Sequence, residues 1–264
     1  MTSSHVMDDN IRVADELIRQ AASQGAEFIL TPEMTTLLDF ESKQVLKKIT
    51  IERDTSWRHF SSLAKELGVW LLIGSIAIKV GKKATNKSFL FSPEGKKIAT
   101  YDKIHMFDVN LPGEDAYKES SVYVAGTEAV VASLPWGKVG LSICYDLRFP
   151  YLYRALSHAG AVMLTVPAAF TEQTGTAHWP ALLRARAIEN GAFVFAPAQC
   201  GKHTNGRRTH GHSLIVDPWG KIIGDGGNEI GVTVTEVNME QVVRARNSIG
   251  SLTHDKNIVI QTVS

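Results

Sequence analysis

Val139-Gly-Leu-Ser-Ile-Cys144 leads directly into Tyr145-Asp-Leu-Arg-Phe-Pro150, so a continuous apolar stretch meets a polar and aromatic one at a cysteine. This pattern predicts a buried strand that turns sharply into a helix at Cys144. Such a turn lifts a side chain out of the sheet and places free backbone N–H groups beside it, where they can hold an oxyanion and favour a thiolate. Free cysteine is also among the most buried residue types. The stretch alone is therefore compatible with a catalytic nucleophile and with a core residue.

On both sides of this stretch the chain alternates helices with strands. Predicted helices cover 11–21, with cap candidates at 8–10 and a stop at Gly25, and then 55–67, 150–158 and 176–190; predicted strands cover 28–30, 69–78, 162–166 and 193–198. Two hairpins share one pattern, around Ser92-Pro-Glu-Gly-Lys96 and around Asp217-Pro-Trp-Gly-Lys221, which indicates an internal duplication. Continuously apolar strands are typical of sheets covered on both faces. We therefore expect an α/β fold, a four-layer α-β-β-α sandwich, in which the weakly patterned segment 242–264 packs on a neighbouring subunit or frays.

Composition restricts the class of partner. The 264 residues carry a net charge of +1 with 44% hydrophobic and 21% charged residues, whereas nucleic-acid binding normally requires a basic face. Only Cys144 and Cys200 are present, which is too few for a disulfide framework and fits the cytosol. Neither a signal peptide nor a run near the roughly 20 apolar residues of a membrane span is visible. We expect a cytoplasmic protein that acts on a small molecule, with no nucleic acid and no membrane among its partners.

Acyl transfer by cysteine needs a nucleophile, a group that moves protons and a site for the oxyanion. Glu33 follows a predicted strand and a proline, where it could act as a base, although taken alone a helix cap or a surface carboxylate explains it better. Lys103 lies among aromatic and apolar neighbours in Tyr101-Asp-Lys-Ile-His-Met-Phe107, and its ordinary explanation is a solvated lysine. Glu119 looks like a surface residue. None of these residues alone decides the chemistry.

Taken in order, these segments closely resemble the nitrilase superfamily of carbon-nitrogen hydrolases, over nearly the whole chain. The matching segments are Leu30-Thr-Pro-Glu33-Met34, Tyr101-Asp-Lys103-Ile-His105, Pro112-Gly113 through Glu119-Ser120, Gly140 through Cys144 to Pro150, and Gly211-His-Ser213 leading into Asp217-Pro-Trp-Gly220. The resemblance implies a single carbon-nitrogen hydrolase domain over residues 1–264 with the four-layer fold. Family members begin with a strand ahead of the segment corresponding to Thr2-Ser3, so the first family strand is expected to be missing at the amino end. The resemblance also implies a homodimer that uses the helices after Cys144 and the carboxyl tail.

The same resemblance places the family's Glu-Lys-Cys triad on Glu33, Lys103 and Cys144 and its second glutamate on Glu119. It implies that Glu33 accepts the thiol proton while Cys144 attacks an amide carbon, with the oxyanion held by Lys103 and the Tyr145 N–H. Water would then hydrolyse the thioester with Glu33 as base, while Glu119 positions Lys103. No cofactor and no metal is expected, because the histidines show no zinc-ligand spacing and no nucleotide-binding glycine motif occurs.

Three segments suggest a substrate within the family. Residues 144–150, 176–189 and 198–203 are most similar to the branch of amidases that act on deaminated glutathione, an activity of metabolite repair. An ω-amidase acting on α-ketoglutaramate-like amides and an N-carbamoyl amidohydrolase are the enzymatic alternatives. A catalytically inactive interaction protein of the same fold is the alternative outside enzymology, which the intact set of four site residues disfavours.

A substrate with several carboxylates calls for guanidinium groups near the nucleophile. The substrate-binding candidates are Arg148, Phe170, Thr171, Arg207 and Arg208. Arg148 could equally be a structural partner of Asp146, and the other two arginines form a solvated basic patch unless their loop folds over the pocket. We expect Trp179 in the core and Cys200 in a structural role.

Overall fold

The computed structural model describes residues 1–39, 42–49, 56–112, 116–204 and 206–263. Its helices are α1 (Met7–Ser23), α2 (Ser42–Lys48), α3 (Ser56–Leu67), α4 (Pro150–His158), α5 (Glu172–Asn190) and α6 (Glu240–Ser248). Its strands are β1 (Phe28–Leu30), β2 (Trp70–Val80), β3 (Lys83–Phe91), β4 (Lys97–Asp102), β5 (Asp108–Val109), β6 (Tyr117–Lys118), β7 (Val130–Leu134), β8 (Gly137–Leu141), β9 (Ala161–Thr165), β10 (Phe193–Ala196), β11 (Cys200–Lys202), β12 (Arg208–His210), β13 (Leu214–Val216) and β14 (Ile222–Asp225). Thr55 and Gly113, which belong to a predicted helix and to a quoted motif, lie outside the described residues.

Two larger sheets carry the architecture. The first has the order β1-β2-β3-β4, with β1 parallel to β2 and the remaining neighbours antiparallel. The second has the order β14-β13-β10-β9-β8-β7, in which β8, β9 and β10 run parallel. β1, β2 and β4 run in the same direction, so the carboxyl ends of β1 and β4 lie at the same end of the first sheet. The carboxyl ends of β8, β9 and β10 lie at one edge of the second.

The layers follow from which faces are buried. α1 and α3 pack on one face of the first sheet through a cluster that includes Ile18, Phe60 and Leu71. The opposite face shares a larger cluster with the second sheet, whose outer face is covered by α4 and α5. The predicted four-layer α-β-β-α sandwich is therefore confirmed, as is the burial of Trp179, which lies in this larger cluster. No helix in the described part of the chain combines the length and apolar character needed to cross a membrane.

Helix boundaries differ from the sequence expectation for local reasons. The cap candidates Asp8, Asp9 and Asn10 lie inside α1, which begins at Met7. The Asn10 side chain is buried and bonds the Ser4 and Thr36 carbonyls, so it ties the helix to two loops instead of capping it. α5 starts at Glu172 because Thr171 caps it, its hydroxyl accepting from the Thr174 N–H. The segment 242–264 contains part of α6, a regular element that the sequence pattern missed.

β1 forms one edge of its sheet, and a groove of about 630 Å³ lies beside it. α1, β13 and the segment 231–237, which has no regular secondary structure, line the groove together with the chain around β1. The expectation that a first family strand is missing stays a prediction, since the described residues start at Met1.

Gly74 of β2 lies against the loop that leads to Glu33 and against Pro167, which follows β9. A Cβ there would meet the Thr31 carbonyl oxygen at 2.1 Å, the Pro32 carbonyl oxygen at 2.4 Å and the Pro167 Cβ at 2.6 Å. Two of these atoms are backbone atoms of the loop that leads to Glu33, so they cannot move aside without moving that residue. We expect Gly74→Ala to destabilise the protein by about 3 kcal/mol or more, because overpacking against a rigid neighbour distorts the backbone. Urea denaturation measures this.

The matched control is Gly231→Ala, since no heavy atom lies within 4 Å of the Cβ that it adds. Its denaturation midpoint should stay near that of the wild type. Equal midpoints for the two variants would show that the loop after β1 yields easily.

Candidate active site

The site forms where strand ends from both sheets meet. Glu33 lies three residues beyond β1, Lys103 directly follows β4, and Cys144 lies three residues beyond β8. Ala169 follows β9 on the same side. Crevices beyond the carboxyl ends of parallel strands are common ligand sites in α/β proteins. Residues that are far apart in sequence thus share one location.

The turn that carries Cys144 is tighter than the predicted strand-to-helix junction. β8 is followed by a 3₁₀ turn over Cys144–Arg148, and α4 begins only at Pro150. Cys144 has φ +49°, in the left-handed region, and its N–H donates to the Pro167 carbonyl at 2.9 Å. The Tyr145 N–H belongs to the first part of this turn, where N–H groups have no partner within the turn itself, and its role as an oxyanion donor stays a prediction.

Lys103 bridges both predicted carboxylates. Its side chain is 2% exposed, and its Nζ lies 2.9 Å from Glu33 Oε1 and 2.9 Å from Glu119 Oε2. The solvated-lysine and surface-carboxylate alternatives are therefore wrong for Lys103, Glu33 and Glu119. Glu119 also accepts from the Phe107 N–H at 2.6 Å, which fixes its carboxylate. A buried ammonium between two carboxylates keeps a defined position and charge.

Glu33 is held by groups that sequence reasoning missed. The Asn86 Nδ2 donates to Glu33 Oε1 at 2.9 Å and to Glu119 Oε1 at 3.3 Å, and the Ala169 N–H donates to Glu33 Oε2 at 2.9 Å. The buried Gln199 amide donates to the Glu33 carbonyl at 2.9 Å. Asn86 and Gln199 were visible as polar residues beside apolar strands, which is the only signal the sequence offered.

Burial and neighbouring charges shift the pKa values of three side chains in the site. Burial opposes charge on Lys103, but Glu119 and Glu33 outweigh it and hold the pKa of the ammonium well above its ordinary value. Burial raises the pKa of Glu119, which Lys103 only partly offsets. Burial also raises the pKa of the Cys144 thiol, Glu33 raises it further and Lys103 lowers it. The resting sulfur therefore keeps its proton, in contrast to the thiolate that the turn amides suggested.

A cavity of about 360 Å³ opens onto these groups. Its lining includes the predicted residues Glu33, Lys103, Glu119, Cys144, Tyr145, Phe170, Thr171, Arg207 and Arg208. Apolar and aromatic side chains, among them Leu38, Phe107 and Tyr117, complete the wall. Arg207 and Arg208 therefore border the cavity.

The predicted arginines have different surroundings. The Arg207 guanidinium lies 4.3 Å from the Tyr117 ring centroid, and Arg208 pairs with Glu172 at 3.0 Å. Arg148 is outside the cavity lining, with its guanidinium over the Phe170 and Tyr145 rings at 5.2 and 5.9 Å. Asp146 hydrogen-bonds Tyr101 and His105, whereas the Arg148 guanidinium lies 3.3 Å from the His178 Nδ1. The role of Arg148 in substrate binding stays a prediction.

Comparison with known proteins agrees with this geometry. The carbon-nitrogen hydrolase family model matches residues 6–247. A deaminated glutathione amidase of Synechocystis sp. is 42% identical over 259 residues, which is 96% of this chain and 95% of that protein. The crystal structure of the C. elegans NitFhit protein superposes with a TM-score of 0.91 at 33% identity; the match covers 97% of this chain and 63% of the NitFhit chain.

A third relative is covalently modified at its own active-site cysteine. It is a glutamate-to-glutamine mutant of the amidase from Nesterenkonia sp. AN1, a nitrilase-superfamily enzyme, that shows the Michael addition of acrylamide at the active-site cysteine. It superposes with a TM-score of 0.80 at 25% identity and covers 95% of both chains.

Proposed function

This chain belongs to the carbon-nitrogen hydrolase family and is a cysteine amidase, and we propose that it hydrolyses deaminated glutathione with Glu33, Lys103 and Cys144 as its catalytic groups. The observation that carries the assignment of residues is the buried contact of Lys103 with both Glu33 and Glu119 beside the thiol. The name of the Synechocystis relative supports the substrate.

The first half of the reaction forms a thioester. Glu33 takes the proton of the Cys144 thiol, and the sulfur attacks the amide carbon that links a keto-diacid to the cysteine of the substrate. The Lys103 ammonium and the Tyr145 N–H hold the negative oxygen of the tetrahedral intermediate. The carbon-nitrogen bond then breaks, and Glu33 returns its proton to the departing amine of cysteinylglycine.

The second half reverses these roles with water. Glu33 takes a proton from a water molecule, whose oxygen attacks the thioester carbon at the same oxyanion site. The carbon-sulfur bond breaks, α-ketoglutarate leaves, and the sulfur regains its proton. Glu119 keeps Lys103 in place through both halves, because it accepts two hydrogen bonds from the ammonium at 3.0 and 2.9 Å.

The cavity mouth supports a substrate with carboxylates. Deaminated glutathione carries one at each end, and Arg207 and Arg208 place two cations beside the cavity. Arg207 is the first candidate to test, because it lines the cavity and its guanidinium lies over the ring of Tyr117, which also lines it. We assign Phe170 and Thr171 to the wall that contacts the substrate backbone.

The test compares α-ketoglutarate release from deaminated glutathione and from α-ketoglutaramate, with Cys144→Ala as the blank. We expect a higher kcat/KM for deaminated glutathione, because a cation beside the cavity can bind its second carboxylate.

The variant Arg207→Ala should raise the KM for deaminated glutathione about tenfold or more, the range for losing a charge-assisted hydrogen bond. The exposed, distant Arg244→Ala serves as its control. Preference for α-ketoglutaramate would instead identify an ω-amidase.

We also propose a single-domain, cytoplasmic homodimer that acts in metabolite repair. The Asp255 carboxylate pairs with Arg154 and with His158 of α4, which anchors the start of the carboxyl tail. Beyond it, the apolar side chains of Ile258, Val259 and Ile260 are 85–93% exposed, as is typical of residues that contact a second subunit. Sedimentation of the full chain and of a chain ending at Asp255 would test this: a full chain that sediments as a monomer contradicts the dimer.

A further inference from the structure

Asp146 joins the two segments that carry the nucleophile and the ammonium. It lies two residues after Cys144, is fully buried, and its carboxylate accepts four hydrogen bonds. Asp146 Oδ2 accepts from the Tyr101 hydroxyl at 2.7 Å and from the Ile143 N–H at 2.8 Å. Asp146 Oδ1 accepts from the His105 N–H at 3.0 Å and from the His105 Nδ1 at 2.7 Å.

The donors come from both sides of the site. Tyr101 and His105 lie two residues before and two residues after Lys103, in the segment that leaves the first sheet. Ile143 directly precedes Cys144, in the turn that leaves the second sheet. One carboxylate therefore fixes the distance between the backbone that carries the ammonium and the backbone that carries the sulfur.

The other contacts of Lys103 do not fix this distance between the two backbone segments. Its N–H donates to the Asn86 carbonyl at 2.9 Å, a bond to the neighbouring strand of its own sheet. Its ammonium bonds Glu119 and Glu33, and Glu33 in turn accepts from the Ala169 N–H and hydrogen-bonds the Cys144 thiol. This link between the two sheets runs through side chains and does not hold the backbone of the 101–105 segment. The His105 ring, in contrast, stacks on Phe149 with ring centroids 3.5 Å apart and also contacts the Tyr151 hydroxyl, both just beyond the cysteine turn.

We propose that Asp146, acting through Tyr101 and His105, is a positioning residue that sets where the Lys103 ammonium lies relative to the Cys144 sulfur and the oxyanion. The proposal rests on the catalytic roles proposed for Lys103 and Cys144. Its expected consequence is kinetic: displacing the ammonium weakens a contact that matters most when the sulfur or the substrate oxygen is negative, so kcat falls while KM changes little.

Two variants test it. Tyr101→Phe keeps the ring and removes one hydrogen bond to Asp146, and Asp146→Asn removes the charge while keeping the shape. We expect kcat to fall about 10-fold for Tyr101→Phe and about 100-fold for Asp146→Asn, the scale of an ångström-size misplacement in a catalytic site. The rate at which iodoacetamide alkylates Cys144 should fall in parallel, because the cation that stabilises the thiolate has moved away.

Tyr153→Phe is the matched control. Tyr153 is as buried as Tyr101, and its hydroxyl hydrogen-bonds Ser142 at 2.6 Å within the second half of the chain, without a hydrogen bond to the 101–105 segment. This variant should lose stability while kcat and the alkylation rate stay near those of the wild type.

The outcomes separate a positioning role from a structural one. If Tyr101→Phe and Asp146→Asn only lower the melting temperature, as Tyr153→Phe does, and keep kcat and the alkylation rate, the proposal is wrong. If Asp146→Asn does not fold, Tyr101→Phe decides alone. Alkylation needs no substrate, so a failure of the substrate assignment, seen as wild-type protein without turnover of deaminated glutathione, is distinguishable from a failure of this proposal.

Discussion

Cys144→Ala is expected to lower kcat by about 10⁴-fold or more, the scale seen when a covalent catalytic group is removed, and to leave the fold intact. Without the sulfur there is no thioester, and only uncatalysed attack by water at the oxyanion site remains. The change removes one atom that faces the cavity, and alanine adopts the same backbone conformation as cysteine at this position. The measurements are α-ketoglutarate release and thermal unfolding followed by circular dichroism.

Cys200→Ala is the control for thiol removal as such. Cys200 is also buried, but its Sγ lies 3.5 Å from the Met1 carbonyl oxygen and it is not among the residues lining the site cavity. The kcat of Cys200→Ala should stay within about twofold of the wild type, because Cys200 and its neighbours do not contact the substrate. Substantial turnover by the Cys144 variant would remove the basis of the covalent mechanism.

Glu33→Gln is expected to lower kcat by about 10³-fold, within the range of general acid-base contributions. The amide cannot accept the thiol proton, return it to the leaving amine or activate water. Gln has nearly the same shape, but its single oxygen can replace only one carboxylate oxygen. It can still accept from Lys103 and Asn86, which bond Glu33 Oε1, and its NH₂ then faces the Ala169 N–H, so the contact at Oε2 is lost.

The same variant should make the sulfur more reactive toward iodoacetamide near neutral pH. In the wild type, burial and the Glu33 carboxylate raise the pKa of the Cys144 thiol, and Lys103 lowers it. Neutralising Glu33 removes one of the two influences that raise the thiol pKa and leaves Lys103 in place. The thiol pKa therefore falls relative to the wild type, although burial still raises it, and the thiolate fraction at pH 7 rises. The difference in alkylation rate should shrink as the pH rises past the thiol pKa of each protein, because the Cys144 thiol is then fully ionised in both.

Loss of turnover with faster alkylation distinguishes proton transfer from general damage to the site. The control is Glu240→Gln, which neutralises an exposed carboxylate that pairs with Arg244, outside the cavity lining, and should change neither rate. Slower alkylation in Glu33→Gln than in the wild type would mean that Glu33 holds Lys103 in place more than it opposes the thiolate.

The sequence predicted the layers because they depend on local patterns, and continuous apolar runs marked β2 and β8. Glu33, Lys103 and Cys144 were singled out together only by the resemblance to a family, and the structure places each of them within three residues of a strand end. The bridging role of Asn86 was out of reach, because it depends on how β3 registers against β4, with Lys87 opposite Asp102. The resting charge of the sulfur was also out of reach, since burial and two distant residues determine it together.

The strained backbone conformation at the site matters for directed evolution of this protein. Cys144 and Met34, the residue after Glu33, have φ +49° and +57°, and they are two of the three described non-glycine residues with positive φ. Each such conformation costs about 1–3 kcal/mol in a residue with a side chain. Glycine relieves this cost at either position, so a library enriched only for heat resistance would favour it there and would lose the nucleophile. Thermal tolerance is therefore a poor substitute for an activity screen in evolving this protein.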